Sequence, residues 1–286
     1  MTKTKFHKIK CSSALTVSKL PDLDYSFNPY LGCQIGCHYC YALSFLQKKE
    51  LGLDWGNFVM AKENILEILA RDVKKKPKGV VGVSTITDPY QSIEKKLELT
   101  RNGIEMLSNN GFHVSIQTKS NLVLRDLDLI SPGTFDIGVT ITTSRPELSR
   151  ILEPSAPLPE KRVQILEECS KKGVETWLFF GPIIPHVNDS QDEIVSVVKL
   201  AKRSNSVILY DRFREKRWLL EVLLPKLDEL ESGLGQKVKD SINDLSYWRQ
   251  TSSLIERVCR DQGVNLKVAF PSRQEDLLQT MLTSYL

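Results

Sequence analysis

Short runs of β-branched and aromatic residues recur along the chain at Val80–Ser84, Phe112–Gln117, Phe135–Thr142, Val174–Phe180 and Ser206–Tyr210, with a weaker run at Tyr25–Tyr30. Between them the apolar positions fall at helical spacing, over Ala61–Lys74, Glu94–Asn109, Glu160–Lys171 and Gln191–Arg203. In the second of these Leu97, Ile104 and Leu107 share one side, and Gly111 follows where a left-handed C-terminal cap belongs; Gly173 has the same place after Lys172. Strand–helix alternation of this kind predicts an α/β fold, a parallel sheet with helices outside it. The strand runs are nearly continuously apolar, as burial on both faces requires.

Beyond residue 211 the pattern changes. Glu221–Leu230 and Gln236–Arg260 read as helices separated by Ser232-Gly233-Leu234-Gly235, Asn265–Phe270 as a further strand and Glu275–Leu286 as a last helix. No Pro/Gly/Ser-rich linker precedes this tail, so it is expected to pack on the rest. The expected organisation is a lead-in over residues 1–24, a core over 25–211 and a mostly helical C-terminal extension over 212–286. No internal repeat interrupts it.

Composition narrows the class. Hydrophobic residues make up 41% and charged residues 26%, ordinary values for a globular chain. No apolar run reaches bilayer length, so no membrane partner is expected. The formal charge of +4 is mildly basic, which permits a nucleic-acid partner without requiring one. The densest basic stretch, Lys74-Lys75-Lys76-Pro77-Lys78, reads as a solvated loop or helix end.

Chemistry concentrates in Cys33-Gln34-Ile35-Gly36-Cys37-His38-Tyr39-Cys40. Three thiolates on one short loop can cap three irons of a four-iron cluster, cysteine being the ligand such clusters prefer. The fourth iron then stays open, and an open position marks catalytic rather than structural metal, as it does for zinc. A structural zinc site needs four ligands, usually as two separated pairs. Cys11, Cys169 and Cys259 are remote and unpaired, and His38, directly after Cys37, would strain a tetrahedron. The N-terminal Met-Thr-Lys-Thr-Lys-Phe-His-Lys carries no apolar signal segment. A reducing, cytoplasmic setting is therefore expected, where clustered cysteines bind metal or react more often than they cross-link. The residues leave two classes open: a cluster enzyme, or a non-catalytic metal-binding or redox-sensing protein.

In parallel α/β folds, sites gather at the carboxyl ends of strands. The cysteine loop follows the first candidate strand, Thr87–Gln91 the second and Lys119 with Ser120 the third. Thr142–Ser144 follow the fourth, Gly181–Pro185 the fifth and Asp211 the sixth.

Cys-x3-Cys-x2-Cys followed by an aromatic resembles the cluster loop of radical S-adenosylmethionine enzymes. The wider string Asn28-Pro29-Tyr30-Leu31-Gly32-Cys33, then Cys37-His38-Tyr39-Cys40-Tyr41-Ala42, resembles the branch related to spore photoproduct lyase, a DNA-repair enzyme. Thr87-Asp88-Pro89-Tyr90-Gln91, Thr118-Lys119-Ser120, Leu152-Glu153-Pro154, Lys161-Arg162 and Gly181-Pro182-Ile183-Ile184-Pro185 follow in the order of that branch, over roughly residues 25 to 210.

The resemblance implies a partial (β/α)6 TIM-like barrel and a [4Fe–4S] cluster on Cys33, Cys37 and Cys40. It implies S-adenosylmethionine on the fourth iron, cleaved reductively to a 5′-deoxyadenosyl radical that abstracts hydrogen from a C–H bond. It also implies an external electron donor of flavodoxin or ferredoxin type. By the same resemblance Tyr39 packs on the cofactor adenine, Lys119 meets its carboxylate, and Thr140 and Thr142 match a ribose-binding hydroxyl. Ser84 or Asp88 accepts from its ammonium, although Asp88-Pro89 also reads as a turn. Arg150, Glu153 and Arg162 form a charge network near the ribose or carboxylate, or a structural salt bridge. The Gly181–Pro185 segment, with Gly181 and Ile183, lets backbone approach adenine. His186 stands at the rim.

One departure bears on substrate. Spore photoproduct lyase returns hydrogen through a cysteine thiol near the barrel mouth, whereas Ser84-Thr85-Ile86-Thr87 contains none. Photoproduct repair itself is therefore not expected. Kinship and mild basicity favour some nucleic-acid substrate, and Asp211–Trp218 alternates bases and aromatics as strand-contacting surfaces do. Tyr41, Tyr90 and Tyr210 are candidates for a radical relay or for packing.

Overall fold

The structure is a computed structural model that describes residues 4–270. Its strands are β1 (Lys5–Ile9), β2 (Leu15–Val17), β3 (Tyr25–Phe27), β4 (Tyr30–Leu31), β5 (Phe58–Lys62), β6 (Val80–Val83), β7 (His113–Thr118), β8 (Phe135–Thr140), β9 (Glu175–Ile183), β10 (Val207–Arg212) and β11 (Leu266–Val268). Its helices are α1 (Lys49–Leu53), α2 (Ile65–Lys75), α3 (Glu94–Leu97), α4 (Leu99–Asn109), α5 (Pro146–Leu152), α6 (Pro159–Lys171), α7 (Gln191–Arg203), α8 (Leu219–Asp228), α9 (Leu234–Ser241) and α10 (Leu245–Gln262).

The main sheet runs β11-β10-β9-β8-β7-β6-β3-β2. β3, β6, β7, β8, β9 and β10 are parallel neighbours and correspond to the six expected strands of the partial barrel. β11 adds a further parallel strand at one edge, and β2 pairs antiparallel at the other. On the outer face Ile116, Val139, Leu178 and Phe180 are sealed beneath Ile104, Leu166 and Val197 of the surrounding helices. Gly111 and Gly173 take left-handed conformations, as their places after helices demand.

The inner face departs from the expectation of apolar burial on both sides. Gln117, Gly138 and Trp177 share one rung across β7, β8 and β9, and Thr140 and Phe179 share another. Gln117, Trp177 and Phe179 remain partly exposed, so the lumen is not filled by layers of branched side chains as in a closed TIM barrel. Gly138 is required there because a Cβ would come within 2.2 Å of the Trp177 indole.

Several elements differ from the sequence reading. The run Tyr25–Tyr30 divides after Phe27, and Tyr30–Leu31 joins a second sheet in the order β1-β5-β4. Pro29, without an N–H, sits at the break. The helix expected from Ala61 starts at Ile65, because Phe58–Lys62 pairs with β1 on one side and β4 on the other. The helix expected over Glu94–Asn109 breaks at Glu98, which is left-handed. Buried Glu94 causes the restart: its carboxylate accepts the Thr100 and Arg101 amides at 3.0 and 3.1 Å, capping α4. Gln236–Arg260 likewise divides at Asp244, which caps α10 by accepting the Ser246 amide at 2.8 Å. The lead-in over 1–24 contains β1 and β2. The expected strand near residue 266 is present, and the helix expected over Glu275–Leu286 lies outside the described residues.

A second apolar cluster lies over the cysteine loop. Leu223 and Leu227 of α8 and Val238 of α9 pack with Leu148 and Leu152 of α5 and with Cys37, Tyr39 and Leu43. The C-terminal helices thus cover the loop. Among the described residues no helix is long and apolar enough to cross a membrane.

Candidate active site

The cysteine loop leaves β4 through Gly32, whose φ of +80° and contact with Phe58 exclude a side chain. Turns close from the Gly36 amide to the Cys33 carbonyl and from the Cys40 amide to the Cys37 carbonyl, both at 3.2 Å. The segment after β6 and the C-terminal end of α5 brace the loop. Gln91 accepts the Gln34 amide at 2.9 Å, the His38 amide donates to Leu152 O at 2.9 Å, and the Ser155 amide donates to Ile35 O at 3.3 Å. His38 Nδ1 lies 2.7 Å from Ile151 O, which only a protonated nitrogen can bond. That imidazole faces the end of α5 and is not placed as a fourth ligand.

Cys33 and Cys37 are buried and Cys40 is half-buried. Burial pushes all three thiols up to about 12. Lys119 opposes that rise at Cys37 and Cys40. Buried thiols beside a cation suit ligands that ionise on taking up metal. Among the described residues no three His, Cys, Asp or Glu side chains converge to hold a single metal ion. Three cysteine thiols on one loop are the donor set a four-iron cluster takes, one to each of three irons.

Beside the loop lies a buried charge network. The Tyr39 hydroxyl donates to Glu153 Oε1 and lies 2.8 Å from Thr142 Oγ1. Glu153 and Arg162, at 1% and 0% side-chain exposure, form an ion pair far from solvent. Burial raises the Glu153 carboxyl, but Arg162 and Lys119 outweigh it and hold the group below the usual range. Lys119 Nζ stands 4.0 Å from Glu153 Oε1 and 5.7 Å above the Tyr39 ring. Arg150 was expected in this network and is not part of it. It is exposed on α5, because the helical turn that points Ser149 and Glu153 inward turns Arg150 outward.

The remaining candidates line the strand ends. Ser84, after β6, is buried with φ +64°, and its hydroxyl has no hydrogen-bond partner among the described residues. Asp88 accepts the Tyr90 and Lys119 amides and the Thr118 hydroxyl, each at 2.8 Å, so it shapes the turn that presents Lys119. Thr140 accepts from Gln117 at 3.0 Å on the inner face. Thr142 is fully buried and donates to Gly181 O at 2.9 Å, joining the ends of β8 and β9. Gly181 has Phe179 against it, and Ile183 O accepts the Phe213 amide at 2.8 Å.

Other residues fall outside this group. His186 Nε2 pairs with Ser241 Oγ at 2.9 Å and so ties the loop after β9 to α9. Tyr210 donates to Glu256 of α10 at 3.0 Å and faces away from the mouth, while Tyr41 donates to Thr85 O. Cys169 and Cys259 are fully buried in the outer core, as expected of small apolar side chains. Sequence reasoning missed Asn188, whose amide donates to Thr142 O at 2.6 Å and Pro182 O at 3.0 Å. Its only local signal was a turn-forming residue shortly after Pro185.

The family model of the radical SAM superfamily matches residues 27–199, which span the cysteine loop and the strand ends just described. The chain belongs to the radical SAM superfamily. Its solved relatives in fold include a variant of spore photoproduct lyase, with a TM-score of 0.72 and 14% identity over 93% of this chain and 82% of that one. Spore photoproduct lyase complexed with dinucleoside spore photoproduct matches with a TM-score of 0.71 at 13% identity, over 93% of this chain and 82% of that one. At such identity the likeness is one of fold. An uncharacterised protein of Methanocaldococcus jannaschii is 35% identical over 66% of this chain and 71% of its own length. An uncharacterised protein of Mycobacterium tuberculosis strain H37Rv is 30% identical over 66% of this chain, which spans only 59% of that relative. Superfamily membership implies an enzyme of radical SAM type, with S-adenosylmethionine and a [4Fe–4S] cluster as cofactors.

Proposed function

We propose that the chain reductively cleaves S-adenosylmethionine at a [4Fe–4S] cluster held by Cys33, Cys37 and Cys40, and abstracts hydrogen from a C–H bond of a nucleic-acid substrate. The observation that carries this reading is the buried three-cysteine loop set against Lys119 at the strand ends. When bound, cluster and cofactor supply the electron transfer and the 5′-deoxyadenosyl radical. The chain's own residues bind and orient. Lys119 meets the cofactor carboxylate as a point charge, and the free Ser84 hydroxyl accepts from its ammonium. Asp88 fixes Lys119 through its backbone amide. Tyr39, Thr140 and the Gly181–Ile183 backbone frame adenine and ribose, while Thr142 joins the strand ends they stand on. Arg150 has no part.

Nucleic acid as substrate rests on the fold shared with spore photoproduct lyase, on mild basicity and on the partly exposed Trp177 and Phe179 in the lumen, which offer a stacking surface. Photoproduct repair is not favoured. The mouth has no cysteine at Ser84–Thr87, and Cys169 and Cys259 are sealed in the core. The electron would come from a flavodoxin- or ferredoxin-type donor in a cytoplasmic setting. Residues 25–211 act as the catalytic unit, and the described part of the C-terminal extension, 212–270, covers it.

The test is anaerobic reconstitution, reduction with dithionite, addition of S-adenosylmethionine and assay of 5′-deoxyadenosine beside Cys37→Ala. Product that disappears in the variant supports the reading. Zinc in place of iron in protein purified without oxygen sinks it in favour of a non-catalytic metal binder. Transfer of deuterium from labelled oligonucleotides into 5′-deoxyadenosine tests the substrate class.

A further inference from the structure

Tyr39 lies between two of the three cysteines, so whatever fixes Tyr39 fixes the spacing of Cys37 and Cys40. Its hydroxyl donates to Glu153 Oε1, the oxygen that also lies 3.3 Å from Thr142 Oγ1 and stands 4.0 Å from Lys119 Nζ. The other carboxylate oxygen takes the Arg162 guanidinium and the Ser149 hydroxyl. Arg162 in turn engages four of its five N–H donors, one of them on Glu153. Nε donates to Pro157 O at 2.6 Å, Nη1 to Thr140 O at 3.0 Å and Nη2 to Ser149 Oγ at 3.2 Å. One buried cation therefore joins α6, the end of β8 and α5, and the Glu153 carboxylate connects that assembly to Tyr39 beside the backbone bonds that already tie the end of α5 to the loop.

We propose that Glu153, anchored by Arg162, is the positioning residue of the cysteine loop, and that its negative charge between Arg162 and Lys119 sets the reduction potential of a cluster bound there. This rests on the cluster reading above. A buried ion pair is poor evidence for stability, because desolvation offsets much of its attraction and an apolar pair of similar volume often serves as well. Fixing register and field beside a metal centre is a use that an apolar pair cannot supply.

The electrostatic direction follows from counting charges. Lys119 and Arg162 are two cations and Glu153 is one anion, leaving one net positive charge on this side of the loop. All three stand beside the loop: Glu153 takes the hydroxyl of the residue between Cys37 and Cys40, Arg162 pairs with Glu153, and Lys119 Nζ lies 5.7 Å from the Tyr39 ring centre. Cluster potential responds to local charge, hydrogen bonding and burial. Reduction adds negative charge to the cluster, so neutralising Glu153 favours the reduced state, and removing Lys119 favours the oxidised one. Poor screening at this depth strengthens both effects.

The experiment compares reconstituted wild type, Glu153→Gln, Tyr39→Phe and Lys119→Gln without S-adenosylmethionine. Iron and sulfide content, midpoint potential by EPR-monitored titration, and iron loss to a chelator are measured. Glu153→Gln keeps the side-chain shape and should raise the reduced-to-oxidised ratio at the wild-type midpoint about tenfold, or 59 mV for one electron. Lys119→Gln should move it about as far the other way. Tyr39→Phe changes no charge; its midpoint should stay near wild type while the chelator strips its iron several-fold faster.

An unmoved midpoint in a fully loaded Glu153→Gln protein overturns the charge role. Equal shifts in Glu153→Gln and Tyr39→Phe also overturn it, because geometry would then be the cause. Wild-type iron retention in Tyr39→Phe overturns the positioning role. If Glu153→Gln does not load, Lys119→Gln alone decides the charge role: a lowered midpoint supports it and any other result overturns it. A wild-type protein that takes up no four-iron cluster sinks the cluster reading, and this inference with it.

Discussion

Gly36 and Gly56 meet backbone to backbone: a Cβ on Gly36 would lie 3.1 Å from the Cα of Gly56, and one on Gly56 would lie 3.0 Å from the Cα of Gly36. Their φ values, +64° and +99°, are both left-handed. Gly36 sits between Cys33 and Cys37, and Gly56 leads into β5, so this contact seats the loop on the smaller sheet. Gly56→Ala should destabilise the protein by about 2 kcal/mol, since backbone strain and overpacking act together. It should also lower iron content after reconstitution. Gly233→Ala is the control: its φ is +81°, but nothing lies within 4 Å of its Cβ, so it carries strain alone. Denaturant midpoints and iron content would show Gly56→Ala the worse on both counts. Equal stability losses and equal iron would mean the close approach does not hold the loop.

Asp211, at the end of β10, is buried with Oδ1 unpartnered among the described residues, although Arg214 pairs with its other oxygen. Burial raises its carboxyl to about 6 from an ordinary 3.8, against the pull of Arg214. A folded-state value above the unfolded one means that the native state holds its proton more tightly. Stability from this group is therefore complete below the unfolded value and is lost as pH rises through the folded one. By about pH 8 the whole penalty applies, roughly 3 kcal/mol at 1.36 kcal/mol per pKa unit. Asp211→Asn should therefore be more stable than wild type near pH 8, by somewhat less than that because the Arg214 pair is lost. The advantage should vanish near pH 4. Urea unfolding at the two pH values tests this, and a variant less stable at pH 8 would show that the Arg214 pair outweighs burial.

Much of this arrangement was legible in the sequence. The β-branched runs marked every strand of the partial barrel, since a buried parallel strand must be apolar whatever it encloses. The cysteine spacing and Lys119 marked one mouth because strand ends are where parallel folds gather chemistry. What failed was local. Ala61 and Lys62 read as the start of a helix because so short an apolar stretch carries both periods, and only pairing of Phe58–Lys62 with β1 decides it. Glu94 read only as the start of one helix over Glu94–Asn109, and its capping of α4 depends on a chain reversal that no local pattern encodes. Arg150 was grouped with Glu153 and Arg162 by charge, whereas the helical phase of α5 that points Ser149 and Glu153 inward turns Arg150 outward. The half-exposed inner face was hidden because Trp177 and Phe179 count as apolar whether they fill a barrel or line an open one.

Ser84 brings strain and an unmet hydrogen bond together at one strand end. Its φ of +64° is uncommon outside glycine, and its hydroxyl is buried without a partner among the described residues. Such a group costs about 1–3 kcal/mol when nothing satisfies it. Neither feature helps the apo fold, which is the pattern expected where structure is held ready for a ligand. Ser84→Ala should leave apo stability unchanged or raise it by up to about 1 kcal/mol, because no protein hydrogen bond is lost and alanine meets the same backbone strain. Affinity for S-adenosylmethionine should fall about tenfold, the worth of one hydrogen bond to a charged group. Thermal melting of the apo protein and equilibrium dialysis of the reconstituted protein separate the two effects. Lower stability with unchanged affinity would assign Ser84 to the fold; unchanged stability with weakened binding would assign it to the cofactor ammonium.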